Sequence, residues 1–477
     1  MAQIDDALFF APLGELVARL RKREFSAVEL TKAFSDRLER LGPRYNALAL
    51  SLREQAIRKA KDIDSDIKKE RFRSPLQGVP YGAKDLLSYA GQPTAWGAAP
   101  FAGQVFKEDA TVVKKLDKAG AILIGKLSMV ELAGGPTYRF AGASANGPGL
   151  NPWDRSRWSG GSSSGSGSSV AAGLVGFALG SETSGSILTP AAFCGITGLR
   201  PTYGLVSRHG AMALSWTLDK IGPMARTAED CGLILQVIAG KDNEDPGSAG
   251  KSFYYAPQFA RPFADLTIGY HPSDWDEHAE EAARPALAKA LEVFRAFGCK
   301  MKEVEIPNFP YGPVISTILG GEAGSIFEDL IESGQVDKLA DAKQIAGLKA
   351  TQDILAKDYL KAMRIRALIR SAFNELFSGV DVLLAPARNG IAGKVADALD
   401  RPSLAASASL SKSRGLQGLI PAANLAGLPA LCLPCGFGAN MPVAVQLVSR
   451  PFNESTLLAF GKQYQSQTDW HTRRPPM

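Results

Sequence analysis

Histidine is scarce in this 477-residue chain, which holds four: His209, His271, His278 and His471. None pairs with another four residues away, and no Cys/His cluster has zinc spacing, which argues against a metal-assisted reaction. The five cysteines are an odd number scattered over 194–435. That excludes a disulfide framework and points to a reducing, cytoplasmic setting. Cys432-Leu-Pro-Cys435 has redox-motif spacing, but it lies among apolar residues and reads as structural. Neither G-x-x-x-x-G-K-[ST] nor G-x-G-x-x-G occurs, so no phosphate-cradling loop is expected. Charge of one sign is not in excess either: 54 basic against 48 acidic residues leave a net +6. The densest charge run, KDIDSDIKKERFR from Lys61, mixes both signs and suits a solvated helix face rather than nucleic acid. The longest apolar run, VAAGLVGFALG from Val170, falls short of the roughly 20 residues a membrane span needs. The start, MAQIDDALFF, lacks the basic and apolar pattern of a signal peptide.

What is present is ordinary core material, with 45% hydrophobic and 21% charged residues. Length alone allows two or three domains, but no clean linker or repeat divides the chain, so 1–477 reads as one unit. Residues 1–70 read as helical, with a capping box at Ser26–Glu29 followed by Leu30, Phe34, Leu38 and Leu41 at helical spacing. TVVKKLDKAG followed by AILIGK reads as helix, turn and buried strand, which is α/β grammar. VDVLLAPA, LPALCLPCG and PVAVQLVS read as further buried strands. Residues 250–400 are more varied and more helical.

The stretch WSGGSSSGSGSS, from Trp158, has the composition of a flexible linker. It runs straight into the apolar segment from Val170, which a linker does not do. It therefore reads as a shaped turn packed on a core. A Ser-His-Asp hydrolase would place its serine in G-x-S-x-G after a strand. Gly161-Ser-Ser-Ser-Gly165 matches only in register and precedes further serines.

Three segments carry a resemblance: Gly160-Gly-Ser-Ser163, GSETSGSILTPAAFCGITGLRPTYG from Gly180, and DKIGPMARTAED from Asp219. With GVPYGAKDLL from Gly78, they resemble the amidase signature family, most strongly over about 76–235. The resemblance implies an α/β fold, a single large domain with a central mixed β-sheet covered by helices on both faces. It also implies a Ser-Ser-Lys triad, with Ser186 as nucleophile, Ser162 as bridge and Lys84 as base. A cis peptide at Gly161–Ser162 and an oxyanion hole from the amides of Thr183, Ser184, Gly185 and Ser186 are implied too. Gly161, Ser163 and Glu182 fall to the supporting loop. No cofactor and no metal is implied.

The residues themselves support this chemistry. A serine hydroxyl is a weak nucleophile until a neighbour takes its proton. Lysine can do so only when neutral, and burial among apolar groups lowers its pKa from about 10.4. Lys84 lies between Gly82-Ala83 and Leu86-Leu87, surroundings that desolvate; Asp85 is expected to point away. Small residues at Ser184 and Gly185 let consecutive amides converge on an oxyanion.

The expected substrate is a small amide, aryl amide or carbamate, turned over by a monomer or homodimer without nucleic acid or membrane. Phe309, Tyr311, Ile315, Ile318 and Phe327 are candidates for an acyl or aryl pocket, and Arg388 with Asn389 for its polar lining. Leu188 stands where many family members carry arginine, which leaves the hydrogen bonding around the oxyanion loop in question. The A-subunit of the tRNA-dependent amidotransferase shares the signature and is the main alternative. Against it, DKLADAKQIAGLKATQDILA, from Asp337, lacks the arginine that the family uses for the glutamine carboxylate. A binding protein that kept the fold without turnover is the remaining alternative.

Overall fold

The structure, a computed structural model, describes residues 4–135, 138–399 and 414–476. Their frame is one eleven-stranded mixed sheet. The strands are β1 (Leu48–Ser51), β2 (Pro80–Lys84), β3 (Ile122–Leu127), β4 (Phe177–Glu182), β5 (Thr197–Arg200) and β6 (Lys220–Ala225), then β7 (Thr267–Tyr270), β8 (Lys300–Glu303), β9 (Val382–Pro386), β10 (Ala430–Gly438) and β11 (Met441–Ser449). They lie in the order β1-β3-β2-β4-β6-β5-β10-β11-β9-β7-β8. β2 runs parallel to both β3 and β4, whereas β6, β5, β10 and β11 pair antiparallel in succession.

Successive strand residues point to opposite faces, so a strand buried at every position must be covered on both. β2, β3, β4, β6, β9 and β11 are buried throughout, which matches helices on both faces of the sheet. The edges differ. β1 is half-buried, and β8 exposes Lys300 and Lys302 at the far end, a charged edge that discourages pairing with another chain. The expected capping box is formed: Ser26 caps the helix Ala27–Leu41, and Glu29 returns a bond to the Ser26 amide at 2.9 Å. The mixed-charge run lies on the helix Arg53–Lys68, whose Ala56, Ala60, Ile63 and Ile67 stripe is buried.

The Gly/Ser stretch departs from the expected turn. Ser164–Ala171 is a helix, and every residue of it is buried. Its composition is poor for an isolated helix, so packing decides. A methyl group on Gly165 would sit 2.5 Å from the Ala47 carbonyl oxygen, and one on Gly167 would sit 2.9 Å from Pro190. Only residues this small admit such close neighbours. The serine hydroxyls find main-chain acceptors, Ser166 on Leu179 at 3.0 Å and Ser168 on Leu150 at 2.9 Å, so burying them leaves little uncompensated polarity.

All five cysteines are free and buried. Cys432 and Cys435 lie on β10, and burial pushes both thiols up, as the structural reading requires.

Candidate active site

β2 and β4 are parallel neighbours, with Ala83 beside Leu179. Their carboxyl ends therefore bring Lys84 next to Ser181 and Glu182, where open α/β sheets commonly present ligand-binding groups. Lys84 has 0% exposure. Its Nζ donates to Ser162 Oγ at 2.7 Å and to Ser181 Oγ at 2.9 Å. Burial lowers its pKa to about 7, against the opposing pull of Asp219 and Glu182. Asp85 does turn away: it pairs with Lys126 at 2.9 Å and accepts from the Ala95 amide at 3.0 Å.

The Gly161–Ser162 peptide is cis. Ser162 is carried by a main chain pinned on both sides. The Val130 amide donates to the Ser162 carbonyl at 3.1 Å, and the Ser163 amide to the Ser186 carbonyl at 3.3 Å. A Cβ on Gly160 would lie 2.6 Å from the Pro190 backbone, and one on Gly161 2.7 Å from Trp158. Ser163 Oγ bridges to β4, donating to the Ser181 carbonyl at 3.2 Å. Ser186 thus sits beside the Ser162 loop through main-chain contact. Its hydroxyl makes no hydrogen bond among the described residues, and the residue is 9% exposed.

Beyond Glu182 the chain turns through Thr183, Ser184, Gly185 and Ser186 into the helix Leu188–Cys194. Gly185 has φ +88°, a left-handed conformation open to glycine at no steric cost. Among the described residues, none of the four amides at 183–186 donates a hydrogen bond within the chain. Unsatisfied consecutive N–H groups of this kind form an anion-binding nest.

Glu182 holds the turn closed. Its Oε2 accepts from the Ile187 amide at 2.9 Å and the Leu188 amide at 3.0 Å. Its Oε1 takes Arg200 at 2.7 Å and Asn424 at 2.9 Å. Burial alone would push this carboxyl up, but Arg200 and these hydrogen bonds outweigh it and hold the group at about 2. The gap expected from Leu188 is thereby filled: the turn does have a guanidinium, and it comes from β5. At the other end, Thr183 Oγ1 donates to Asp219 Oδ1 at 2.5 Å, and Asp219 also receives the Leu214 and Ser215 amides.

Two cavities border this group. One of about 280 Å³ reaches Ser181, Thr183 and Asp219 and is otherwise largely apolar, with Met212, Leu214 and Trp216 in its wall. The other, of about 310 Å³, includes Trp158, Phe193 and Ile420. Trp158 packs on Gly161 and Ile420 on Gly185, so this cavity meets the same loops at other residues. Arg388 and Asn389 line it, as the sequence suggests. Phe309, Tyr311, Ile315, Ile318 and Phe327 line neither cavity. Four of them are buried, and Phe309 packs half-buried against the same core; the pocket expectation is corrected.

Sequence reasoning passed over Ser181, Arg200, Asp219 and Asn424. The first three lie within the segments that carry the resemblance, but their partners are 18 to 97 residues away. His278, Ser273 and Asp274 do meet, yet both Ser273 Oγ (3.5 Å) and Asp274 Oδ1 (3.1 Å) approach the same Nδ1. A relay needs the serine and the carboxylate on different ring nitrogens, so this cluster is not a triad. Among the described residues, no group of His, Cys, Asp and Glu could hold a metal, and no helix is long and apolar enough to cross a membrane.

Comparison with known proteins places the chain. The family model described as Amidase matches residues 29–458. The chain belongs to the amidase signature family. The glutamyl-tRNA(Gln) amidotransferase A-subunit from Carboxydothermus hydrogenoformans is 36% identical over 98% of this chain and 100% of its own. Among solved structures, the peptide amidase of Stenotrophomonas maltophilia superposes with a TM-score of 0.83 at 28% identity, covering 98% of each chain. A vestigial protein complex linked to the origins of an s-triazine catabolic enzyme superposes with a TM-score of 0.85 at 29% identity, covering 96% of this chain and 98% of that one.

Proposed function

We propose that the protein hydrolyses a carboxylic amide C–N bond through an acyl-enzyme on Ser186. Lys84 carries the proposal: a fully buried amine on two serine hydroxyls, with its pKa lowered to about 7. In its neutral form, Lys84 Nζ takes the Ser162 hydroxyl proton while Ser162 takes that of Ser186. Ser186 Oγ then bonds to the amide carbonyl carbon, and the carbonyl electrons move onto oxygen. The free amides at 183–186 are poised to meet that oxyanion. The C–N bond breaks as the leaving nitrogen takes the proton back through Ser162. Water adds to the ester along the same relay and releases the carboxylic acid and Ser186. A carbamate presents the same carbonyl and is included in the substrate class.

The test is fluorophosphonate labelling of Ser186, combined with turnover of anilides, fatty amides, amino-acid amides and carbamates by the isolated chain. Absence of both labelling and turnover sinks the proposal.

A second reading has its own support. The 36% identity to an amidotransferase A-subunit spans nearly the whole of both chains. In that reading the same serine hydrolyses glutamine and supplies ammonia within a multi-subunit complex. Residues 337–356 contain no arginine for the glutamine carboxylate, which favours a free-standing amidase. Glutamine hydrolysis that appears only with added partner subunits decides for the second reading.

A further inference from the structure

We propose that the 310 Å³ cavity selects amides bearing a carboxylate, and that Arg388 is the cation that binds it. The proposal rests on the reading of Ser186 as nucleophile, since it concerns the substrate of that site. The cavity reaches the catalytic loops through Trp158, against Gly161, and Ile420, against Gly185. Arg388 lines it, is exposed, and makes no hydrogen bond or ion pair among the described residues. Its guanidinium carbon lies 5.8 Å from the Phe193 ring centroid, within cation–π range, a contact that uses none of its N–H donors. Lys394 lines the same cavity and forms no ion pair among the described residues either.

The cavity's carboxylates are already engaged. Asp274 accepts from the Leu416 amide at 2.8 Å and contacts His278 at 3.1 Å. Glu280 accepts from the Ile391 amide at 3.3 Å; it attracts Arg388 electrostatically, without a hydrogen bond between them. Asp397 is likewise engaged. Arg388 thus offers unused guanidinium donors to a cavity whose acidic groups are each bonded within the chain, and those donors make the site for an anion. The adjoining Phe193, Leu419 and Ile420 suit a short carbon chain between that anion and the scissile carbonyl. Planar bidentate pairing makes a carboxylate the natural partner of the guanidinium. The substrate class is therefore the monoamide of a dicarboxylic acid or a similar amide with an acidic tail.

The test is equilibrium binding to the Ser186→Ala variant, which removes turnover. Matched pairs differ only in a carboxylate against a methyl group: succinamate with butyramide, glutaramate with pentanamide, and adipamate with hexanamide. At least one acid is expected to bind about tenfold or more tightly than its neutral partner, the scale of a charge-assisted pair. Adding Arg388→Met should abolish that preference, and Arg388→Lys should retain part of it, with unchanged melting temperatures. Equal binding within every pair, no binding by any acid, or a preference that survives Arg388→Met overturns the proposal. Fluorophosphonate labelling of Ser186 in the wild-type chain separates the two readings. Its absence would count against the nucleophile, whereas labelling together with equal binding within every pair counts against the cavity alone.

Discussion

In the cavity that meets Thr183, Arg208 is held by Asp245 through two bonds, Nη2 to Oδ1 at 2.6 Å and Nε to Oδ2 at 3.0 Å. In the cavity beside Gly185, Arg388 has no such partner among the described residues. The same side chain thus does different work in two chambers that border the one group proposed for catalysis. A bidentate pair inside the chain consumes the fork and fixes the loop around Arg208. An open fork stays available to something that arrives. Residue type says little about which case applies; the neighbours decide.

The largest expected effect tests what the two cavities share. Ser186→Ala should lower amide hydrolysis by about 10⁴-fold or more while far-UV circular dichroism and melting temperature stay put. Wild-type rates in that variant would remove the reason for linking either cavity to catalysis. Next comes the buried amine of Lys84. With Lys84 near 7, kcat/KM should rise about tenfold per pH unit below pH 7 and level off above it. A profile flat from pH 5 to 9 contradicts the neutral-amine relay. The same shift has a stability consequence. Between pH 7 and about 10.4 the unfolded chain binds a proton that native Lys84 does not, so stability rises with pH over that window. Replacing Lys84 with Met removes this slope, and its stabilisation should be fullest below pH 7 and fade towards pH 10. Chemical denaturation at pH 6, 8 and 10 reads it out.

Glu182→Gln tests the carboxylate that closes the turn before Ser186. It strips the buried Arg200 of its carboxylate, a loss on the order of 3–5 kcal/mol. Because the native carboxyl sits at about 2, its contribution is present above pH 4.5 and disappears as pH falls towards 2. The variant should lack that acid-side loss, measured by denaturant titration at pH 3 and 7. The smallest effect sharpens the comparison itself. Asp245→Asn removes the charge held by Arg208 Nε and Nη2, while Nη1 keeps Tyr203 and Trp216, and in an Arg388→Met, Ser186→Ala background it should restore a severalfold preference for succinamate over butyramide. No restoration would mean that chamber shape, not only the free fork, governs selection.

The core strands were legible because full burial on both faces leaves continuous apolar runs, as in AILIGK and PVAVQLVS. The helix Ala27–Leu41 was legible from its capping box and apolar spacing. The helix Ser164–Ala171 was not, because its residues have weak helix propensity and only the close approach of Ala47 and Pro190 makes it form. The positions proposed for catalysis were readable because they lie in short, densely patterned segments. Their hydrogen-bond partners were harder: Arg200 meets Glu182 across the pairing of β4, β6 and β5, and Asn424 arrives from 242 residues away. The aromatic run around Phe309 to Phe327 misled because a buried core residue and a pocket wall share one composition.

By itself the sequence determined the α/β class, the family, and the segments rich in small residues and hydroxyls, since each depends on local pattern. Only the tertiary structure decided that this lysine loses all contact with water, which carboxylate receives which guanidinium, and which arginine is left open to a cavity. Desolvation and ion pairing depend on every neighbour in space, and a linear order of residues does not state those neighbours.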